Sequence, residues 1–140
     1  MLVRLLYASR AVDITPEAID AILAQSRQHN PSCGITGILC YGGGIFLQAI
    51  EGGRMQVSEL FGHIMKDPRH RDVALLHFEE ISERRFGGWS MGQVNLTKLN
   101  HAILLKYSEQ AALDPYAVSG KVSLALLEDL MATAAICGRV

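Results

Sequence analysis

Three consecutive glycines, Gly42 to Gly44, lie between two apolar runs at residues 34–41 and 45–51. Glycine reaches the positive φ angles that tight turns between paired strands require, so this pattern predicts a β-hairpin. A strand and a helical pattern flank the hairpin on each side. These four elements are predicted at residues 2–9, 16–29, 57–65 and 73–81.

The predicted order is therefore β-α-β-β-α-β. With right-handed crossovers, this order folds into a ferredoxin-like sandwich that has both helices on one face of an antiparallel sheet. A short extra strand is expected at 89–94, and two helices are expected within residues 96–140. The fold class is thus α+β. Because many functions use this fold, it does not decide what the chain does.

Local signals set more detailed expectations for these elements. Thr15 and Pro16 favour the start of the first helix, and Pro31 is expected to end it at about residue 29. The second helix presents apolar residues from Val57 to Met65 at helical spacing. The apolar run at 73–81 is expected to be a buried strand.

Charge and cysteine content exclude several classes of protein. The chain has 13 Lys and Arg against 14 Asp and Glu, so its net charge of -1 disfavours a nucleic-acid or anionic-membrane binder. Its three cysteines form no CxxC pair, and its five histidines show no zinc spacing. No apolar run reaches the roughly 20 residues of a membrane span. We expect a cytoplasmic protein with reduced, buried thiols and no metal.

One polar residue stands out in the strand at 45–51. Gln48 shares a strand face with Phe46, whereas Tyr7 and Ser9 share a face of the first strand. Burying an amide without partners costs about 1–3 kcal/mol. Gln48 therefore either faces solvent or has a dedicated polar partner, and its apolar neighbours favour a covered face.

Three classes of function remain to be weighed. No Walker loop, GxGxxG, GxSxG, triad or paired carboxylates appear, so an enzyme is not expected. An RNA-binding ferredoxin-like module would need stacking aromatics and a basic sheet, and neither is visible. A sensory or ligand-binding module remains, although Tyr7, Asn30, Trp89 and Met91 each also suit ordinary structural roles.

Seven short motifs in sequence order make residues 1–95 resemble the BLUF family, blue-light sensors that use FAD. They are LYASRA at 6–11, NP at 30–31, GITGIL at 34–39, FLQAIEG at 46–52, DPRH at 67–70, RF at 85–86 and WSM at 89–91. The resemblance implies a flavin-binding domain at 1–95 and a helical extension at 96–140, which packs on the sheet or on a partner. The short chain is similar to stand-alone members without an effector domain.

The resemblance also implies where FAD binds. The flavin would lie between the two helices and the sheet, with Ile22 or Leu23 as an apolar wall and Asn30 bonded to a ring carbonyl. The residues expected to bind the cofactor are Tyr7, Ser9, Leu23, His29, Asn30, Phe46, Gln48, Arg69 and His70. The photoactive residues would be Tyr7, Gln48, Trp89 and Met91, and which of the last two lies nearer the flavin stays open.

A mechanism follows from the same resemblance. The excited flavin would take an electron and then a proton from Tyr7, and after their return the hydrogen bonds around Gln48 would be rearranged. A glutamine amide has a donor end and an acceptor end, so its rotation or tautomerisation changes what the flavin edge meets. The signal would leave through the segment 89–94 and residues 96–140 to an unidentified protein partner. The sequence does not decide whether the chain forms a homodimer.

Overall fold

A computed structural model describes residues 1–95, 101–133 and 136–137. The helices are α1 (Pro16–Cys33), α2 (Arg54–Lys66), α3 (His101–Tyr107) and α4 (Gly120–Ala132). The strands are β1 (Leu2–Ala11), β2 (Thr36–Gly42), β3 (Ile45–Gly53), β4 (His70–Ile81), β5 (Gly92–Asn95) and β6 (Ile136–Cys137). Among these described helices, none is long and apolar enough to cross a membrane.

The strands form one sheet in the order β4-β1-β3-β2-β5-β6. β1 lies between β3 and β4 and is antiparallel to both, whereas β5 runs parallel to β2. The first four strands therefore have the ferredoxin-like arrangement, and β5 extends it as a mixed sheet. The predicted α+β fold class is confirmed.

The hairpin between β2 and β3 forms at the predicted glycines. Gly43 and Gly44 have φ angles of 59° and 78°. Two consecutive positive φ angles suit the tight turn whose twist matches that of the paired strands. This turn sets the register, which pairs Tyr41 with Phe46 and Leu39 with Gln48.

The two faces of the sheet carry different helices. The face with Leu5 and Tyr7 packs against α1 and α2, through residues such as Leu23 and Val57. The opposite face packs against α3 and α4; buried side chains there are Leu6, Ala8, Ile38, Cys40, Leu47, Ala49, Phe86, Trp89, Val94, Leu104, Leu124, Leu126, Leu127 and Leu130. Side chains of the C-terminal helices thus share a hydrophobic core with the sheet.

The predicted end of α1 is wrong, because the helix continues through Pro31 to Cys33. In the last turn, Pro31 removes only its own N–H from the helical hydrogen bonds. Gly34 ends the helix with a φ of 67°, and its N–H donates to the Pro31 carbonyl. The Ile35 N–H donates to the Asn30 carbonyl at 3.0 Å, which completes a Schellman motif.

Other expectations also differ from the structure. β4 is longer than predicted and has no fully buried residue, because among the described strands it lies at the sheet edge and pairs with β1 alone. Met65 of α2 is 58% exposed rather than on the packed face. The extra strand begins at Gly92, so Trp89 and Met91 precede it. Both C-terminal helices are found, although residues 96–100 of the predicted segment lie outside the described residues.

A buried ion pair fixes the loop that follows β4. Arg4 Nη2 lies 2.7 Å from the Glu51 carboxylate, and both side chains are almost fully buried. The Glu51 carboxylate also accepts the backbone N–H groups of Arg85 at 3.0 Å and Phe86 at 2.7 Å. Because breaking a buried pair leaves an uncompensated charge, this arrangement holds the 85–86 backbone firmly against the sheet.

The structure predicts opposite effects for alanine at two glycines. A Cβ at Gly37 would collide with the backbone carbonyl of Ala49, whereas a Cβ at Gly62, inside α2, meets nothing within 4 Å. We expect Gly37→Ala to lower the free energy of unfolding by about 1–3 kcal/mol because the strands must separate. Gly62→Ala should raise it by about 0.5–1 kcal/mol. Urea denaturation measures both, and wild-type stability for Gly37→Ala would contradict the packing described here.

Candidate functional site

A cavity of about 640 Å³ lies between α1, α2 and the sheet. Both helices contribute apolar and polar side chains to its walls, and Tyr7 and Gln48 are polar groups on the sheet floor. The lining residues are Tyr7, Ile22, Gln25, Ser26, His29, Asn30, Cys33, Ile35, Leu39, Phe46, Gln48, Gln56, Glu59, Leu60, His63, Ile64, Asp67, Arg69 and His70.

A hydrogen-bonded chain of three buried side chains starts with two residues of the cavity floor, Tyr7 and Gln48, and ends at Met91, which does not line the cavity. The β1–β3 register places Tyr7 opposite Gln48, and the Tyr7 hydroxyl donates to Gln48 Oε1. Gln48 Nε2 in turn donates to Met91 Sδ at 3.2 Å. Gln48 is only 5% exposed. Gln48 therefore faces the covered side of the sheet and has dedicated partners, as its apolar neighbours indicated.

Tyr7 is held as a neutral phenol. Burial raises the pKa of Tyr7 well above its ordinary value, and the negative charge of Asp67 raises it further. Its ring contacts Phe61 of α2, with 5.6 Å between the ring centroids, and the His70 ring at 6.3 Å. The phenol is therefore fixed by aromatic packing and keeps its proton for the hydrogen bond to Gln48.

Asn30 connects the cavity to the segment before β5. Its side chain lies in the last turn of α1, is 2% exposed and lines the cavity. Its Nδ2 donates to the Ser90 carbonyl at 2.8 Å. The Schellman motif described above fixes the backbone at this residue, so the amide has a defined position between the cavity and residue 90.

Ser9 and His70 form a second polar pair near the floor. Ser9 is fully buried, and its Oγ lies 2.7 Å from His70 Nδ1. Burial lowers the pKa of His70, the nearby Arg69 lowers it further, and Asp67 opposes this shift. The imidazole is accordingly neutral near pH 7 and packs on Phe46, with 4.9 Å between the ring centroids.

Arg69 lies at the cavity but is bound to Asp67. Its Nη2 is 2.6 Å from Asp67 Oδ2, and its Nε is 3.0 Å from both carboxylate oxygens. Hydrogen bonding from the Arg69 side chain lowers the pKa of Asp67. The guanidinium is therefore largely committed to an ion pair at the rim.

Trp89 and Met91 lie on opposite faces of the sheet. Met91 is fully buried beside Leu23, Leu39 and Phe46 on the cavity side, in contact with Gln48. Trp89 belongs instead to the core shared with α3 and α4. Residues two apart in an extended strand would share a face, but β5 begins only at Gly92, so this alternation does not apply to Trp89 and Met91. Met91 is thus the one that meets the polar chain of the floor.

The structure brings most of the predicted residues together. Tyr7, His29, Asn30, Phe46, Gln48, Arg69 and His70 line the cavity, whereas Ser9, Leu23, Trp89 and Met91 do not. Leu23 is buried behind the wall, and Ile22, the alternative, lines the cavity instead.

Sequence reasoning missed most residues that α2 contributes. Gln56, Glu59, Leu60, His63 and Ile64 line the cavity. The helical spacing in this segment signalled Leu60 and Ile64 as apolar, but it could not tell a cavity wall from the core.

The cysteines give a mixed result. Cys33 and Cys40 are free thiols, and Cys40 is buried as expected. Burial raises the pKa of the Cys40 thiol to about 12. Cys33 is only half-buried, with its Sγ 3.4 Å from His29 Nε2 at the rim of the cavity. Across residues 1–95, 101–133 and 136–137, no group of three or more His, Cys, Asp or Glu side chains is arranged to hold a metal.

The cavity suits a flat heteroaromatic ring. Ile22 of α1 and Ile64 of α2 provide apolar surface, and the amides of Asn30 and Gln48 provide hydrogen-bonding groups. Its volume lies within the range of small-molecule sites, which combine apolar walls with few polar groups. A flavin ring needs both features, and these residues fit it.

Comparisons with known proteins agree with this site. The family described as "Sensors of blue-light using FAD" (BLUF) matches residues 2–92. The blue light- and temperature-regulated antirepressor BluF of Escherichia coli is 34% identical over 88 residues, which cover 62% of this chain and 22% of that protein. The photoactivated adenylate cyclase subunit beta of Euglena longa is 37% identical over 49% of this chain and 8% of that protein.

Two solved structures resemble the chain over almost their whole length. The dark-state BLUF protein BlrB is 40% identical with a TM-score of 0.81, covering 95% of this chain and 96% of that one. The photo-activated state of BlsA is 31% identical with a TM-score of 0.83, covering 94% and 95%. The family match spans well over half of the chain and includes the whole cavity floor. The chain therefore belongs to the BLUF family of blue-light sensors that use FAD.

Proposed function

We propose that the chain Tyr7–Gln48–Met91 is the light-operated switch of this sensor and that a separate protein reads its state. One observation carries the proposal: a neutral phenol and an amide in the cavity floor are joined by hydrogen bonds to each other and to a buried thioether behind them. Ile22, Ile64, Asn30 and Gln48 would hold the ring, the first two by packing and the amides by hydrogen bonds.

Tyr7 would supply the electron and the proton. When bound, FAD absorbs blue light and becomes an oxidant strong enough to oxidise a phenol. The Tyr7 hydroxyl is already hydrogen-bonded to Gln48 Oε1, so its proton has an acceptor next to it when the phenol loses an electron. When the electron and the proton return to Tyr7, no substrate has been consumed.

Gln48 would keep the altered hydrogen bonds after the electron and the proton have returned to Tyr7. Its Oε1 accepts from Tyr7 and its Nε2 donates to Met91 Sδ. A thioether is a weak acceptor, so the bond to Met91 is easier to give up than the bond to the phenol. Rotation or tautomerisation of the amide changes both contacts, and Met91 would then have to adjust its position.

The output would pass from Met91 to the C-terminal helices. Met91 and Trp89 are two residues apart, and Trp89 packs in the core that includes Leu104 of α3 and Leu127 of α4. We place residues 1–95 in the sensor and residues 96–140 in the output region.

We propose that the signal passes to a separate protein. The curated relatives are named as an antirepressor and as cyclase subunits, and the chain spans only 22% and 8% of two of them. The resemblance to BlrB and BlsA over nearly their full length supports a sensor that has no enzymatic step of its own. The net charge of -1 favours a protein partner over nucleic acid or an anionic membrane. We place both the sensor and this partner in the cytoplasm.

Tyr7→Phe tests the electron donor. Phenylalanine keeps the aromatic packing on Phe61 but has neither a proton to give nor an easily oxidised ring, so we expect bound flavin without the light-induced red shift. Absorption spectra before and after blue light measure this, with the reversible shift of the wild type as control. A normal photocycle in Tyr7→Phe would refute the assigned role of Tyr7.

Gln48→Leu tests the switch. Leucine is of similar size and suits an apolar floor, so flavin binding should persist, but neither Tyr7 nor Met91 keeps its partner. We expect the normal red shift to be lost, which light-minus-dark absorption spectra detect. Thr36→Val, at the β2 end remote from Gln48 in register, serves as a control that should retain the shift. A wild-type shift in Gln48→Leu would overturn the switch.

Hydrogen exchange tests the output route. Illumination should change the exchange of backbone amides in residues 89–95 and 101–133, since the strand and helices there would follow Met91 and Trp89. Mass spectrometry of peptides in light and dark measures this. Tyr7→Phe is the control, because its light and dark patterns should coincide. Identical wild-type patterns in these segments would count against signalling through the C-terminal helices.

A further inference from the structure

The segment that carries Met91 is held by three hydrogen bonds to consecutive backbone carbonyls. The Trp89 carbonyl accepts from the Gly37 N–H of β2 at 3.1 Å. The Ser90 carbonyl accepts from Asn30 Nδ2 at 2.8 Å, and the Met91 carbonyl accepts from Arg27 Nε at 3.1 Å. Two of the three donors are therefore side chains of α1.

Arg27 differs from Asn30, the other side-chain donor, in its position relative to the cavity. It precedes Asn30 by three residues, so both lie on one side of α1. Asn30 lines the cavity, but Arg27 does not. Arg27 therefore acts on the position of Met91 through the backbone without forming part of the flavin site.

The position of Met91 depends on this contact. Its Sδ lies 3.2 Å from Gln48 Nε2, and its Cε lies 3.3 Å from the point that a Cβ on Gly37 would occupy. The thioether thus lies over a glycine, where a side chain would obstruct it. A small shift of the Met91 backbone would change the contact with Gln48.

The guanidinium also has an unused donor. Arg27 Nη2 is buried and has no hydrogen-bond acceptor among the described residues. A buried donor without a partner is unfavourable, so stability alone does not explain an arginine here. Nη2 belongs to the same planar guanidinium as Nε, so it can donate to a backbone carbonyl when the segment that carries Met91 moves.

We propose that Arg27 is a positioning residue of the light switch. Its hydrogen bond to the Met91 carbonyl keeps Met91 Sδ against Gln48 in the dark, breaks when the amide switches and must form again before the dark state returns. This inference rests on the proposed function, since it requires that Gln48 switches. It assigns the rate of dark recovery in part to a residue outside the cavity.

The first test compares recovery rates in the full chain loaded with FAD. Arg27→Leu removes the donors, and we expect it to bind flavin and shift red, but to recover about fivefold more slowly, as the loss of one average hydrogen bond implies. Arg27→Lys keeps a cationic donor and should recover at a rate closer to the wild type. Arg54→Leu makes the same change at an arginine 44% exposed on α2 and should not alter the rate.

These outcomes separate the inference from the function on which it rests. A wild type without a reversible red shift would overturn both. A normal wild-type cycle with the same recovery rate in Arg27→Leu would overturn only the role of Arg27. An equal slowing by Arg27→Leu and Arg54→Leu would also overturn it, because the effect would then not depend on Met91.

Infrared spectroscopy tests the contact directly and does not depend on whether Arg27→Leu folds. The chain has five methionines, and a ¹³C label on their backbone carbonyls shifts those vibrations. We expect a labelled carbonyl band in the light-minus-dark spectrum of the wild type and its loss in Met91→Leu. A wild-type spectrum without any labelled carbonyl change would show that the Met91 carbonyl keeps its partner, and would overturn the proposal.

Discussion

The pairing of β1 with β3 is the constraint on which the rest of the site depends. Side chains alternate between the faces of a strand, so a slip of one residue would move both Tyr7 and Gln48 to the opposite face. The two are opposite each other because the register runs unbroken from Leu2 against Gly53 to Arg10 against Ile45. The hydrogen bond between them is therefore a product of the whole strand pair and not of local flexibility.

Strands β3 and β2 also fix the segment that carries Met91, which follows β4 and precedes β5. Arg4 and Glu51 are paired in the β1–β3 register, three residues along from Tyr7 and Gln48. Glu51 holds the 85–86 backbone, and Gly37 of β2 holds the Trp89 carbonyl. The segment from residue 85 to residue 89 is thus tied at one end to β3, which carries Gln48, and at the other end to β2, which pairs with β3, and this limits how far Met91 can lie from the amide.

Sequence patterns predicted the parts that depend on periodicity. Strand alternation placed Phe46 and Gln48 on a face that their apolar neighbours predicted to be covered, and the glycines of the turn predicted the hairpin. The patterns failed where three-dimensional context decides. Pro31 is tolerated because it lies in the last turn before Gly34, and β4 is exposed because of its edge position in the sheet. The sides taken by Trp89 and Met91 depend on backbone contacts to α1 and β2, which no local pattern encodes.

The placement of Trp89 and Met91 on opposite faces has a mechanical consequence. One short segment contributes Met91, which contacts Gln48 of the cavity floor, and Trp89, which packs in the core under α3 and α4. Both environments are closely packed, so neither side chain can move by a fraction of an ångström without its neighbours responding. Because three consecutive carbonyls of the segment are held, it has few ways to absorb a displacement of Met91 internally. A change that begins at Gln48 is therefore passed to the other face of the sheet more readily than it would be through a free loop.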